Sequence, residues 1–384
     1  MILNEIRALR QLFELRTASI REPDRPSDRL TADELDEVSR TYYVKPHGAA
    51  GALGALFRTF VSAPIATFAG LFYAWRLAGF RPVQILKNTG YWVEALMVGQ
   101  WMKREGLEYL HCHYSSTVGL IAKRVFPIGF SMSVHGPDEF NDPAGFWLRQ
   151  KIEASDFVRA ISNYARSQLM MHCGSEQWGK IDVAYMAVDP DIFAARPFRE
   201  NPAPLEMICV GRLAPVKAQR ILIAAAAKLV KEGRNVLLHV VGGGPDRQSL
   251  EAQVDALGIR NSVVFHGFAP QDKLEALYRQ ADVFALASFA EGVPGVLMEA
   301  MAMEIPCVAT GITGVPELIR DGVDGLLVAP SDADAFAAAI ARLIDDPELR
   351  RKVGRAGRQR ILEKFNMPLN ARILAEIFQR PRGT

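Results

Sequence analysis

From about Leu107 onward the chain alternates short apolar runs, ending in Gly, Ser, His or Asp, with longer helix-patterned stretches. Such alternation marks parallel βα units, because two parallel strands need a helical crossover between them. Tyr109–His113, Phe130–His135 and Phe157–Ile161 read as strands of a first series, and Asn163–His172 as a helix capped by Ser162. Over Phe193–Leu205 the pattern dissolves into polar sequence with Pro197, Pro202 and Pro204, which signals a linker. A second series follows. Its strands are Glu206–Val210, Val236–Val241, Val263–Phe265, Val283–Ala287, Cys307–Thr310 and Gly325–Val328. Its helices include Gln219–Glu232, Asp272–Gln280, Val296–Met303 and Val315–Asp321. Asn366-Met367-Pro368 interrupts the helical run before a last helix. The expected fold class is α/β, with one Rossmann-like domain over residues 1–200 and a second over 201–365. A closing helix over 366–384 is expected to return toward the first domain. Ahead of residue 105 the pattern is less regular.

At 384 residues the length suits two such domains. A net charge of +2 gives no global drive toward nucleic acid or an anionic surface, so any basic function must be local. Cys112, Cys173, Cys209 and Cys307 are scattered and read as small buried hydrophobes in a reducing compartment. Met1–Arg10 is charged and helix-patterned, unlike a secretory signal, and a cytoplasmic location is expected. Thr59–Trp75 is uncharged and apolar, but short for a span of ~20 residues, and it contains Pro64 and Gly70. It reads as a helix packed on or beside the first domain, with an interfacial helix lying on a membrane as the alternative.

Two segments point to chemistry. In Glu291-Gly-Val-Pro-Gly-Val-Leu-Met-Glu299 one carboxylate lies in a Gly/Pro-rich loop after a strand and the other inside a helix opening near Val296. Gly292 and Gly295 permit close backbone approach to a ligand, and the helix start offers N–H groups to an anion. A capped surface helix with two solvated carboxylates would read the same way. The second segment, Gly211-Arg212-Leu213-Ala214-Pro215-Val216-Lys217, follows the first strand of the second domain. Arg offers a planar fork to a diphosphate and Lys a point charge. Two unrelated surface cations would fit it equally.

Further pieces are Val241-Gly-Gly-Gly-Pro-Asp246, His266-Gly-Phe268, Ala281–Ser288, Gly314–Ile319 with Asp321–Leu326, Ser133–Phe140 and Ala160–Asn163. In this order and spacing the pieces resemble the family 4 retaining glycosyltransferases of the GT-B fold, in which two Rossmann-like domains face a central cleft. The His-Gly-Pro-Asp-Glu-Phe and Glu-Gly-Val-Pro segments look most like bacterial exopolysaccharide transferases of the colanic-acid type.

The resemblance implies a UDP- or GDP-sugar donor, held without metal or other cofactor, and a glycan or lipid-linked oligosaccharide acceptor at the inner face of the membrane. It assigns Arg212 and Lys217 to the donor diphosphate, Glu299 to the ribose and Glu291 to the transferred sugar. The backbone of Gly292, Val293, Pro294, Gly295, Val296 and Leu297 would cradle sugar and phosphate, and Phe268 would face the base. His135 would reach the sugar from the first domain. Asp138 and Glu139 would either help hold the acceptor or be solvated loop acids, and His111 and His113 read as structural.

Some residues depart from the family pattern. Ala218, Glu304 and Ala187 stand where relatives carry Gly, which requires a negative φ at each. The opening looks like the first domain's first helix, with Phe13–Ile20 as its second strand. One strand and its loop then precede Met1 in relatives, which points to a true start upstream. An impaired nucleotide-binding remnant, or an epimerase or phosphorylase on the same fold, are the alternatives.

Overall fold

The computed structural model describes residues 2–380, apart from Asp24 and Pro137 and the side chains of Arg29, Asp138, Gln271 and Asp272. The chain divides into two compact units, residues 9–184 with 376–384 and residues 1–8 with 185–375.

In the unit built on residues 9–184, α1 (Ile2–Arg10) runs in from the other unit, and a βαβ step follows. Strand β1 (Thr17–Ser19) leads to α2 (Ala32–Arg40), whose start is fixed by a capping box between Thr31 and Glu34, and then to β2 (Thr41–Tyr43). The two strands pair in parallel. Arg10 clasps Glu37 at 2.6 and 2.8 Å, and Thr17 donates to the same carboxylate at 2.7 Å, which ties α1, α2 and β1 together. The expected strand Phe13–Ile20 is confined to Thr17–Ser19.

Three helices come next, α3 (Gly48–Ser62), α4 (Pro64–Ala78) and α5 (Pro82–Glu105). The apolar stretch Thr59–Trp75, expected as one helix, is two. The break falls at Ala63, because Pro64 cannot continue α3 but suits the first position of α4.

A four-stranded parallel sheet completes the unit: β3 (Tyr109–His113), β4 (Gly129–Val134), β5 (Phe157–Ala160) and β6 (Ile181–Val183), in that order. Helices α6 (Ser116–Val125), α7 (Asp138–Asn141), α8 (Leu148–Ala154) and α9 (Asn163–Met171) alternate with the strands. One face buries Phe130, Met132, Val134 and Val158 against Ile152 and Leu169. On the other, His111 bonds Ser131 at 2.7 Å and Ser133 at 2.8 Å, under the Phe378 ring.

The other unit holds a six-stranded parallel sheet. Its strands are β7 (Leu205–Val210), β8 (Val236–Val241), β9 (Val263–Gly267), β10 (Val283–Leu286), β11 (Cys307–Thr310) and β12 (Leu326–Val328). The order across it is β9-β8-β7-β10-β11-β12. That is the doubly wound 3-2-1-4-5-6 arrangement, which reverses direction between β7 and β10; ligands of such sheets sit beyond the strand ends at this reversal.

The crossovers are α10 (Gln219–Lys231), α11 (Arg247–Ala256), α12 (Gln271–Gln280), α13 (Gly295–Ala302) and α14 (Val315–Leu318). Helices α15 (Ala333–Asp345), α16 (Pro347–Lys364) and α17 (Met367–Gln379) follow, with α17 passing into the first unit. The core joins Met207, Cys209, Leu238, Val240 and Ala285 of the sheet to Ile223, Leu229 and Phe336 of the helices. The Pro-rich linker is pinned by the buried Arg350, which donates to the carbonyls of Arg199 and Glu200 at 3.0 and 2.6 Å. The four cysteines are free, three of them buried.

Two expectations fail here. Ala218 and Glu304 sit at φ +49° and +59°, left-handed where a negative angle was expected, because each lies in a tight turn beside a helix end. Helix α14 stops at Leu318 rather than Asp321, because Asp324 accepts from the backbone N–H and the guanidinium of Arg320 and so starts a turn.

Candidate functional site

The two segments singled out in the sequence follow β7 and β10, the strands that flank the reversal. Backbone contacts build the first loop. Gly211 N–H donates to Val241 O at 2.9 Å, and Leu213 N–H to Gly243 O at 2.8 Å. Gly242 and Gly244 adopt φ +139° and +156°, and a Cβ on either would stand 2.0 and 2.2 Å from the carbonyl oxygens of Gly211 and Leu213. The glycine run therefore serves as the bed on which the Arg212 loop rests. Gln219 holds the Arg212 carbonyl at 3.0 Å, while the guanidinium is exposed and has no ion-pair partner among the described residues.

The second loop carries Glu291, buried with its Oε1 accepting two bonds: from Lys217 Nζ at 2.6 Å and from Ser288 Oγ at 2.6 Å. Thr310 Oγ1 donates to the Ser288 carbonyl at 2.7 Å, Thr313 Oγ1 donates to the Glu291 carbonyl, and Phe289 N–H to Val216 O at 2.8 Å. A Cβ on Gly314 would lie 2.2 Å from Gly292 O. The loops after β7, β10 and β11 thus interlock, and they bring Lys217 and Glu291 together.

From Gly292 the chain runs through Val293 and Pro294 into α13, whose start has no side-chain cap. Leu297 N–H donates to Pro294 O at 3.2 Å, and the first N–H groups, at Gly295 and Val296, lie at the positive end of the helix dipole. One turn in, Glu299 accepts from Tyr278 Oη at 3.0 Å. Burial pushes the Glu299 carboxyl above the usual range, and the Tyr278 bond opposes this in part. Phe268, just past β9, is exposed.

His135 lies in the other unit, one residue past β4. Its Nε2 bonds His113 Nδ1 at 2.8 Å, and the Tyr114 ring stacks on it at 4.7 Å between centroids. Burial, aided by the charge of Arg159, lowers the His113 pKa to about 3. Glu139 is no solvated loop acid: it is buried and accepts from the backbone N–H groups of His135 at 2.7 Å and Gly136 at 3.3 Å. The Asp138 side chain is outside the described residues. Ser288, Thr313 and Tyr278 escaped the sequence reading. Ser288 stood at the end of a quoted apolar run, while Tyr278 looked like one more core aromatic on a helix. Among the described residues no group of three or more His, Cys, Asp or Glu could hold a metal ion.

Comparison with solved structures defines the fold. Sucrose-phosphate synthase from Thermosynechococcus elongatus aligns over 98% of this chain and 91% of its own, with TM-score 0.73 and 20% identity. Anabaena HepE in complex with UDP and glucose aligns over 75% and 81%, with TM-score 0.66 and 22% identity. The fold is that of the GT-B glycosyltransferases.

The model of the family described as Glycosyl transferases group 1 matches residues 192–360. A Salmonella typhimurium protein named as a colanic acid biosynthesis glycosyltransferase, WcaL, is 34% identical over 60% of this chain and 58% of its own length. The amylovoran biosynthesis glycosyltransferase AmsK of Erwinia amylovora is 32% identical over 59% and 56%. The chain thus spans somewhat more than half the length of these relatives.

Proposed function

We propose that the chain is a retaining glycosyltransferase that moves a hexose from a UDP- or GDP-sugar to a cell-surface polysaccharide or lipid-linked oligosaccharide. The acceptor would be met at the inner face of the membrane, by a cytoplasmic protein in peripheral contact with it. The observation that carries this reading is the Lys217–Glu291–Ser288 cluster beside the uncapped start of α13, on the two loops at the sheet's reversal. The relatives named above, from two exopolysaccharide systems, support the substrate class.

In this reading the donor diphosphate lies on the α13 N-terminus, with Arg212 and Lys217 opposing its charge. The bond between the sugar's C1 and the diphosphate oxygen breaks, and the electron pair leaves with the nucleoside diphosphate. An acceptor hydroxyl attacks C1 from the same face and passes its proton to the departing oxygen. Both bonds to Glu291 fall on Oε1, so Oε2 remains to accept from a sugar hydroxyl. Glu299 accepts from the ribose hydroxyls, and Phe268 faces the base. The positive charge that meets the diphosphate comes from Arg212, Lys217 and the start of α13.

The test is nucleotide release from a panel of UDP- and GDP-sugars, with and without a lipid-linked glycan acceptor. Release from one donor, stimulated by acceptor, is expected. A folded chain that binds donor yet releases no nucleotide with any acceptor would favour the binding remnant instead.

A further inference from the structure

Helix α4 is packed inside out. Its inward face is Thr67, Gly70, Ala74 and Ala78, all buried, whereas Ile65, Phe68, Phe72 and Trp75 point outward. Ile65 is 86% exposed and Phe72 69%. A Cβ on Gly70 would stand 2.3 Å from Val125, so α4 sits on α6 too closely to turn a large side chain inward. The apolar outer face continues along α3 through Leu53, Phe57, Phe60 and Val61, and past α4 through Phe80, Val83 and Leu86. Phe60 and Phe68 meet edge to face at 5.8 Å, and Trp75 Nε1 bonds Thr89 at 3.0 Å, which makes the three helices one surface. Water-exposed aromatics in this number are unusual outside contact surfaces.

Charge identifies what covers the face. Between Glu37 and Glu94 the chain has no Asp or Glu, yet it carries Arg40, Lys45, Arg58, Arg76, Arg81 and Lys87. Arg58, Arg81 and Lys87 are exposed beside the apolar residues and form no ion pair among the described residues. Arg76 instead lines a hollow of about 490 Å³ together with Glu153. A two-fold interface between copies would set these like charges against one another. An anionic bilayer satisfies both features at once: aromatic side chains enter the headgroup and acyl boundary, and cations meet lipid phosphates. None of the described helices is long and apolar enough to cross a membrane.

We propose that the outer faces of α3, α4 and the first turns of α5 are a bilayer-contact surface that lies in the interface of an anionic leaflet. The proposal deepens the peripheral contact named above but needs no nucleotide sugar, so it stands or falls apart from the donor site.

The test is sedimentation of the full chain with vesicles of phosphatidylcholine alone and of phosphatidylcholine with phosphatidylglycerol. Binding to the anionic vesicles is expected, weakened by salt. It should drop by about tenfold or more in Ile65→Ser/Phe68→Ser/Phe72→Ser, and also in Arg58→Glu/Arg81→Glu/Lys87→Glu. Because the substituted side chains are exposed, circular dichroism of both variants should match the parent. Undiminished binding by the serine variant would overturn the proposal. So would no binding by the parent, or a lipid-free dimer that the serine substitutions dissolve.

Discussion

Lys217 and Glu291 are 74 residues apart in sequence and 2.6 Å apart in space. Burying one charge without the other typically costs about 3–5 kcal/mol, less where a partner stays partly wet as Lys217 does. Lys217→Ala is therefore expected to lower the melting temperature and, by removing charge from the leaving group, to cut turnover by about 10²-fold or more. Lys217→Arg should restore stability more than turnover, and the two readouts together separate the roles. Tyr278→Phe removes the bond to Glu299 while keeping the ring. It should raise the Glu299 pKa further and weaken nucleotide binding more at pH 5 than at pH 8, which a titration at both pH values checks. The segments carrying Arg212, Lys217, Glu291 and Glu299 stood out in the sequence for charged residues in Gly- and Pro-rich loops, while the roles proposed for these residues rest on the family resemblance. Ser288 and Tyr278 did not stand out, because their partners come from tertiary packing that no local spacing reports.

Among elements, the loop after β11 acts as a brace for the loop after β10. Gly314→Ala would drive a methyl into Gly292 O, and a loss of about 1–3 kcal/mol in stability is expected, with weaker donor binding. Chemical denaturation checks the first and titration the second.

The histidine ends of β3 and β4 give a pH signature. His113 has a pKa near 3 when folded, against about 6.5 unfolded, and His111 is also pushed down by burial. The unfolded chain therefore binds more protons below pH 6.5. Stability is full above that value and falls as pH drops toward 3, by at most ~1.4 kcal/mol per pH unit for each group. Melting curves should slope less steeply with pH between 6.5 and 4 in His113→Gln than in the parent; an unchanged slope would contradict the assignment.

Strands such as β8 and β11 were readable at their true bounds because parallel sheets bury both faces and so appear as apolar runs. The φ values at Ala218 and Glu304 were misjudged because a strained turn held by its neighbours can retain a non-glycine residue. The break at Pro64 was visible only as a residue type until packing placed it at a helix start.

At the scale of the molecule, two α/β units were expected from the alternation of strands and helices around a Pro-rich stretch, and the GT-B fold from the resemblance of the ordered motifs to that family. The apolar face of α3 to α5 was harder to read, since outward and inward residues are both uncharged and only packing on α6 tells them apart. The central claim is that the loops after β7 and β10 bind a nucleoside diphosphate at the start of α13. Calorimetric titration of the folded chain with UDP and with GDP tests it most directly. One of the two should bind with one-to-one stoichiometry, and Arg212→Ala should weaken it about 10- to 100-fold, the value of a charge-assisted bond of ~1.5–3 kcal/mol. No binding of either nucleotide, or equal affinity in the variant, would contradict the account.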